Sequence, residues 1–301
     1  MTSAVGLLRL VRPGNCLLAA FGTIAGMLLV LHGDASRWVW FAPFATAATA
    51  AYGNVRNDLG DVELDRVAHP GRPLVTGVVS RRAAQRLSEV LFGLAVPLGA
   101  AAGGLPGGLF VLAVLLLLLA YERWLKARGV AGNLLVALLT GLTFLFGALC
   151  WLRFTVPAPL APGGPDLSVY GYAPLFALVA FLANLARELL KDLEDVGADA
   201  GRRRTFPMRR GAAATRTLAF ACVVAAVALA NVAAPLRMPE GLAWSVALVL
   251  PDLALLAGAA WGLRDAGFGQ RLLKLGMALA VLGAIAFWAY VAWTASRRVE
   301  L

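Results

Sequence analysis

The sequence predicts an all-α integral membrane protein. Three observations carry that expectation: composition, the recurrence of apolar runs of span length, and a lopsided placement of basic residues. Of the 301 residues, 60 % are hydrophobic and 15 % are charged, and the mean hydropathy is +0.76. A water-soluble domain needs more polar surface than that. Runs of about 20 apolar residues recur along the chain, the length a helix needs to cross a hydrocarbon core of about 30 Å.

Nine such runs are expected to form spans. The first, 14–32, follows MTSAVGLLRLVRPGN; no clear cleavage site comes after the run, so it is expected to remain a span and not a signal peptide. The second, 38–57, runs into an acidic stretch, NDLGDVELD. The third and fourth, 82–103 and 106–124, are parted only by GGLPGG, a tight-turn signal. The fifth and sixth, 130–152 and 172–191, flank VPAPLAPGGPDLSVYG, a Pro/Gly-rich loop without Lys or Arg. Runs at 212–234, 241–263 and 272–295 complete the set.

Basic residues orient the spans. With the N-terminus cytoplasmic, all 27 Lys and Arg fall on the cytoplasmic side except Arg37, Arg153, Arg237, Arg297 and Arg298. That is the positive-inside pattern. The terminal pair Arg297 and Arg298 goes against it, since nine spans put the C-terminus outside. The net charge of +10 comes with no basic tail or nucleic-acid motif. Topology and an anionic ligand account for it, and nucleic acid is not an expected partner. Cys16, Cys150 and Cys222 sit in or beside apolar runs without metal-ligand spacing, as core filler does.

The chain also repeats itself weakly. DLGDVELD at 58–65 aligns with DLEDVGAD at 192–199, each at the cytoplasmic end of an even-numbered span. One domain of two pseudo-repeated halves, about 1–125 and about 126–301, is expected around a central cavity.

The two acidic stretches carry the chemistry. Asp58, Asp61 and Asp65 stand at i, i+3 and i+7, so they share one helix face, and Asp192, Asp195 and Asp199 repeat the spacing. Three carboxylates on one face repel unless cations intervene. Two such faces opposed suit Mg²⁺, which takes hard oxygen ligands and completes its shell with water and phosphate oxygens. Arg72 in HPGRP, Lys126 in YERWLKARG and the run Arg202–Arg204 lie on the same side and would clamp a diphosphate with the metal. An apolar cavity between the spans would take a long hydrocarbon tail. A solvated acidic cap is the plain alternative for one motif, but two matching motifs on one side argue against it. The Arg202–Arg204 run also reads as a positive-inside signal alone. His32 and His69 are isolated, and Trp38, Trp40, Trp151, Trp261, Trp288 and Trp293 read as interface anchors or packing.

These residues resemble the UbiA-type intramembrane prenyltransferase superfamily. The resemblance rests on NDxxDxxxD at Asn57–Asp65, the second acidic motif at Asp192–Asp199, and YxxxxK from Tyr121 to Lys126 between the fourth and fifth spans. It covers essentially the whole chain. RPGNCLLAAFGTIAG at 12–26, YGNVRNDLGDVELDRVAHPGRPLVTGVVS at 52–80, GNLLVALLTGLTFLFGAL at 132–149 and RELLKDLEDVGADAGRRRTFP at 187–207 resemble the branch that makes ether lipids. That resemblance implies Mg²⁺-dependent transfer of a geranylgeranyl group from geranylgeranyl diphosphate to the hydroxyl of geranylgeranylglyceryl phosphate. It implies one Mg²⁺ on Asp58, Asp61 and Asp65, assisted by Asn57, and another on Asp192, Asp195 and Asp199. It implies Arg72, Lys126 and Lys191 on the diphosphate, with Tyr121 beside them, and Asn15 and Arg12 near the acceptor or the diphosphate. It places the enzyme in the cell membrane among lipids, with its active site on the cytoplasmic side.

Prenylation of an aromatic acceptor, as in quinone or tetrapyrrole synthesis, uses the same clamp and remains open. A CDP-alcohol phosphotransferase needs D-G-x-x-A-R ahead of its Asp pair, and DLGD lacks it. An ion-coupled transporter is the remote alternative, but its carboxylates belong near the membrane midplane, not at one face.

Overall fold

The computed structural model describes residues 3–30, 36–153, 171–199, 205–233 and 241–299. Every regular element among them is helical. The expected Pro/Gly-rich loop, His32 and Arg202–Arg204 lie outside the described residues.

A short helix α1 (Ala4–Val11) is capped by Ser3, whose hydroxyl accepts from Gly6 N, and ends at Arg12 in the left-handed region. Pro13 then opens α2 (Pro13–Leu28) at its first turn, where the missing N–H would be unsatisfied anyway. The axes of α1 and α2 meet at 47°. Helix α3 (Phe41–Gly60) gives way at Asp61 to the short α4 (Val62–Ala68). Helix α5 covers Arg81–Ala120, capped by Ser80.

Within α5 the backbone leaves helical geometry at Gly103 and Gly104, the latter at φ 63° and ψ −158°, a conformation open to glycine. A methyl group at Gly99 would stand 2.9 Å from the Gly107 carbonyl oxygen. In a straight helix residues eight apart are about 12 Å apart, so the two arms fold back on one another. The GGLPGG turn is therefore present, as the sequence leads one to expect.

A π turn at Tyr121–Leu125 and a 3₁₀ turn at Lys126–Arg128 lead into α6 (Val130–Leu152). Then follow α7 (Ala173–Glu194), the single turn α8 (Val196–Asp199), α9 (Phe206–Ala228), α10 (Gly241–Gly262) and α11 (Ala266–Val299). Helix α9 starts before its expected span but breaks at Gly211, and α11 overruns its span at both ends.

Six of the described helices are long and apolar enough to cross a membrane, or seven if the bent α1–α2 pair counts as one span. This is a multi-pass membrane architecture. Helix α3 is not among the six; it carries Asn54, Arg56, Asn57 and Asp58 in its second half.

Helix α2 packs on α3, α6 and α11, while α7 packs on α6, α9 and α11. The α2–α6 contact is close because both helices offer glycine. A Cβ at Gly26 would collide with the Phe144 backbone, and one at Gly147 with the Thr23 carbonyl. Between these helices lies a cavity of about 360 Å³. Behind one end of it Trp244 is fully buried, edge-on to Phe176 and Phe287 at 5.1 and 5.0 Å, with its indole N–H donating to the Ala230 carbonyl.

Candidate active site

The first acidic motif spans the end of α3 and the start of α4. The break at Asp61 is small: Asp61 N still bonds Asn57 O at 3.0 Å, and Asp65 N bonds Asp61 O at 2.8 Å. The carboxylates thus stay on nearly one face, and Asp58 and Asp65 are only 3 % and 2 % exposed.

Each is met by a cation. Arg12, held at the left-handed break between α1 and α2, pairs with Asp58. Arg72 is placed by the turn after His69, and its Nη1 bridges Asp58 Oδ1 at 3.1 Å and Asp65 Oδ2 at 2.6 Å. Burial pushes the Asp65 carboxyl above its ordinary range, against the lowering pull of Arg72. Lys126 Nζ lies 2.8 Å from Asp61 Oδ2, while Asn57 Nδ2 donates to the same oxygen at 3.2 Å.

The π turn and the 3₁₀ turn that follows it present Tyr121, Glu122 and Lys126 together. Lys126 also bonds Glu122 and stands 6.0 Å above the Tyr121 ring. Gly60 permits this approach, because a Cβ there would lie 2.7 Å from Glu122 Oε2.

The second motif closes α7. Asn133 Nδ2, from the start of α6, donates to Asp192 Oδ2 at 2.7 Å. Asp195 caps the helix, its N–H on the Lys191 carbonyl at 3.0 Å. One turn earlier, buried Glu188 pairs with Arg187 at 2.6 Å and with Lys191 at 3.8 Å. Asp199 ends α8; its side chain lies outside the described residues. The short helices α4 and α8 touch, so the two acidic turns face each other.

Among the described residues no three acidic, His or Cys side chains converge as a ready-made ligand set. The donors themselves fit Mg²⁺: they are carboxylate oxygens from opposed turns. One guanidinium nitrogen already reaches both Asp58 and Asp65, so a single cation can meet both carboxylates.

The cavity begins beneath these turns. Of the residues singled out from the sequence, Arg12, Asn15, Asn57, Tyr121 and Lys191 line it, whereas Asp58, Asp61, Asp65, Asp192, Asp195, Arg72 and Lys126 stand around its mouth without lining it. The deeper wall is mostly apolar, with Leu139, Phe176, Val179, Leu248 and Ala284 among its residues; the exception on α10 is Asp252, which accepts from Asn231 Nδ2 at 2.7 Å. That shape offers a charged head and a greasy shaft.

Sequence reasoning missed Asn133, Glu122, Glu188, Arg187 and Lys274, all at or near the head of the cavity. A signal was there: each is a polar residue at the edge of or within an apolar run, where such residues mark function.

Residues 19–272 match the model of the UbiA prenyltransferase family. The chain is 37 % identical over 286 residues to a digeranylgeranylglyceryl phosphate synthase of Methanopyrus kandleri, covering 93 % of this chain and 97 % of that one. A protein of the same name from Halobacterium salinarum is 37 % identical over 291 residues, covering 93 % of this chain and 96 % of that one. The apo structure of a UbiA homologue from Aeropyrum pernix superposes with a TM-score of 0.76 at 19 % identity, covering 91 % of this chain and 98 % of that one. A UbiA homologue from Archaeoglobus fulgidus, bound to GPP and Mg²⁺, superposes with a TM-score of 0.64 at 17 % identity, covering 94 % of this chain and 99 % of that one. The motifs, the helical architecture and these likenesses agree, and the chain belongs to the UbiA prenyltransferase family.

Proposed function

We propose that this chain transfers a geranylgeranyl group from geranylgeranyl diphosphate to the hydroxyl of geranylgeranylglyceryl phosphate, an ether-lipid step. The observation that carries the reaction type is the apolar cavity whose head meets two opposed acidic turns. The ether-lipid acceptor is supported by relatives 37 % identical over nearly their whole length that bear the digeranylgeranylglyceryl phosphate synthase name.

Mg²⁺ would be held by Asp58, Asp61 and Asp65 on one turn, and by Asp192, Asp195 and Asp199 on the other. When bound it supplies positive charge to the departing diphosphate. Arg72, Lys126 and Lys191 add to that charge, and Asn57 and Asn133 hold Asp61 and Asp192 in place. Tyr121 supports Lys126, and Arg12 and Asn15 border the acceptor. The allylic C–O bond breaks with its electron pair leaving on diphosphate. The glyceryl hydroxyl oxygen then bonds the allylic carbon and passes its proton to the released diphosphate. The apolar shaft holds the tail and keeps water from the cation.

The reading places nine crossings in the cell membrane, counting α3 and the two arms of α5 as separate spans. The N-terminus and the active site are cytoplasmic, and the single domain has halves of about 1–125 and about 126–301. Membranes carrying the chain, given both substrates, should form the doubly prenylated lipid with Mg²⁺. They should lose that activity with EDTA or in an Asp61→Ala/Asp195→Ala variant. Turnover that survives both would overturn the reading.

A further inference from the structure

Lys274 sits well inside α11, about 12 Å from its start at a rise of 1.5 Å per residue. Its flanking residues, RLLKLGMALA, are mostly apolar. An ammonium within an apolar span is costly and needs a polar reason to be there.

The side chain reaches the head of the cavity. Its Nζ donates to Asn15 Oδ1 on α2 at 2.7 Å. Asn15 Nδ2 in turn reaches Asn54 Oδ1 at 3.5 Å, and Asn54 Nδ2 holds the Val11 carbonyl at 2.8 Å. Asn54 stands one helical turn before Asp58. A chain of amides therefore runs from Lys274 to the first acidic turn.

Charge pairing sets Lys274 apart. Arg12 has Asp58, and Arg187 and Lys191 share Glu188. Among the described residues, the cavity-lining cations without a carboxylate at ion-pair distance are Lys274 and Arg56. Arg56 stands on α3 beside Asn57, at the first acidic turn. Lys274 stands on α11, within electrostatic reach of Arg12 and Arg187, and its hydrogen-bond partner among the described residues is a neutral amide. A half-buried ammonium so placed calls for an anion, which a ligand must bring.

We propose that Lys274 binds the phosphate of the lipid acceptor and so selects a phosphorylated glyceryl lipid over its unphosphorylated counterpart. The inference rests on the prenyl-transfer reading above and assigns one residue to its acceptor side. The acceptor's phosphate and reacting hydroxyl belong to the same glycerol, so the reaction draws that phosphate towards the prenyl diphosphate. A cation separate from the diphosphate clamp offsets the repulsion between the two anions. Lys274 takes no part in bond making.

The test uses the full-length protein in detergent, as wild type, Lys274→Met and Lys274→Arg. Lys274→Met is expected to raise KM for geranylgeranylglyceryl phosphate about 10- to 100-fold, the range for a lost hydrogen bond to a charged group. KM for the diphosphate and any turnover of unphosphorylated geranylgeranylglycerol should not change, and Lys274→Arg should recover most of the loss. An equal loss on both acceptors, or a raised KM for the diphosphate, would overturn the proposal by making Lys274 a strut or part of the clamp. Direct binding of labelled geranylgeranylglyceryl phosphate separates this from failure of the underlying reaction. If the wild type turns over neither acceptor, lower binding to Lys274→Met still supports the phosphate site, and equal binding refutes it.

Discussion

Lys126 Nζ lies 2.8 Å from Asp61 Oδ2, joining the 3₁₀ turn before α6 to the middle of the first acidic motif. The side chain is almost fully buried, between Asp61, Glu122 and the Tyr121 ring. A cation fixed this firmly can act on developing diphosphate charge without reorganising. Replacing Lys126 by Met should lower kcat by about 10²- to 10³-fold, the usual loss for one preorganised charge-stabilising donor. Steady-state assay checks this; a kcat within a few-fold of wild type would remove Lys126 from the clamp.

Arg72 bridges two carboxylates that are nearly out of reach of water. Taking it away strands buried negative charge, a loss of about 3–5 kcal/mol when one partner of a buried pair is removed. Arg72→Ala should therefore unfold at a lower temperature than wild type in EDTA. Added Mg²⁺ and a prenyl diphosphate should restore more stability to the variant than to wild type, because the metal takes over the neutralising role. Thermal unfolding in detergent measures both, and a deficit indifferent to Mg²⁺ would count against Asp58 and Asp65 as ligands.

Asn133 holds Asp192 from a neighbouring helix at 2.7 Å. Partners that orient a metal ligand typically change affinity 10- to 100-fold when lost. Asn133→Ala should raise the Mg²⁺ concentration for half-maximal activity by about that factor. A Mg²⁺ titration at saturating substrates decides it.

The tail end of the cavity makes a prediction about chain length. Ala284 lines the wall and packs in the cluster that includes Trp244 and Phe287. Ala284→Trp should fill that end and shift the kcat/KM ratio from geranylgeranyl towards geranyl diphosphate by at least about tenfold, on the scale of a few methylenes lost from an apolar pocket. An unchanged ratio would place the tail elsewhere.

Much of this site was legible in the sequence because it is local. The Asp spacing, the YxxxxK turn and the GGLPGG reversal each depend on residues within a turn or two of one another. The pairing of Asn133 with Asp192 joins residues 59 apart, and that of Lys274 with Asn15 joins residues 259 apart. Such contacts depend on how each helix is rotated in the bundle. Helices that are apolar on nearly every side, such as α10 and α11, give no stripe from which to read that rotation. The cations on Asp58 and Asp65 were likewise legible as residue types but not as partners. Arg72 was expected to meet a diphosphate, and in the structure it bridges the carboxylates themselves. Helix α3 shows the opposite limit. Its polar second half serves the site, and it keeps the helix out of the set that hydropathy alone assigns to the membrane.

The most direct test of the central claim is an acceptor competition. Purified protein with Mg²⁺ and geranylgeranyl diphosphate would be offered geranylgeranylglyceryl phosphate, 4-hydroxybenzoate and a dihydroxynaphthoate together, with products identified by mass spectrometry. The account predicts that the doubly prenylated glyceryl phosphate is the product and that diphosphate appears in equal amount. A prenylated aromatic acid as the main product would keep the clamp and contradict the acceptor.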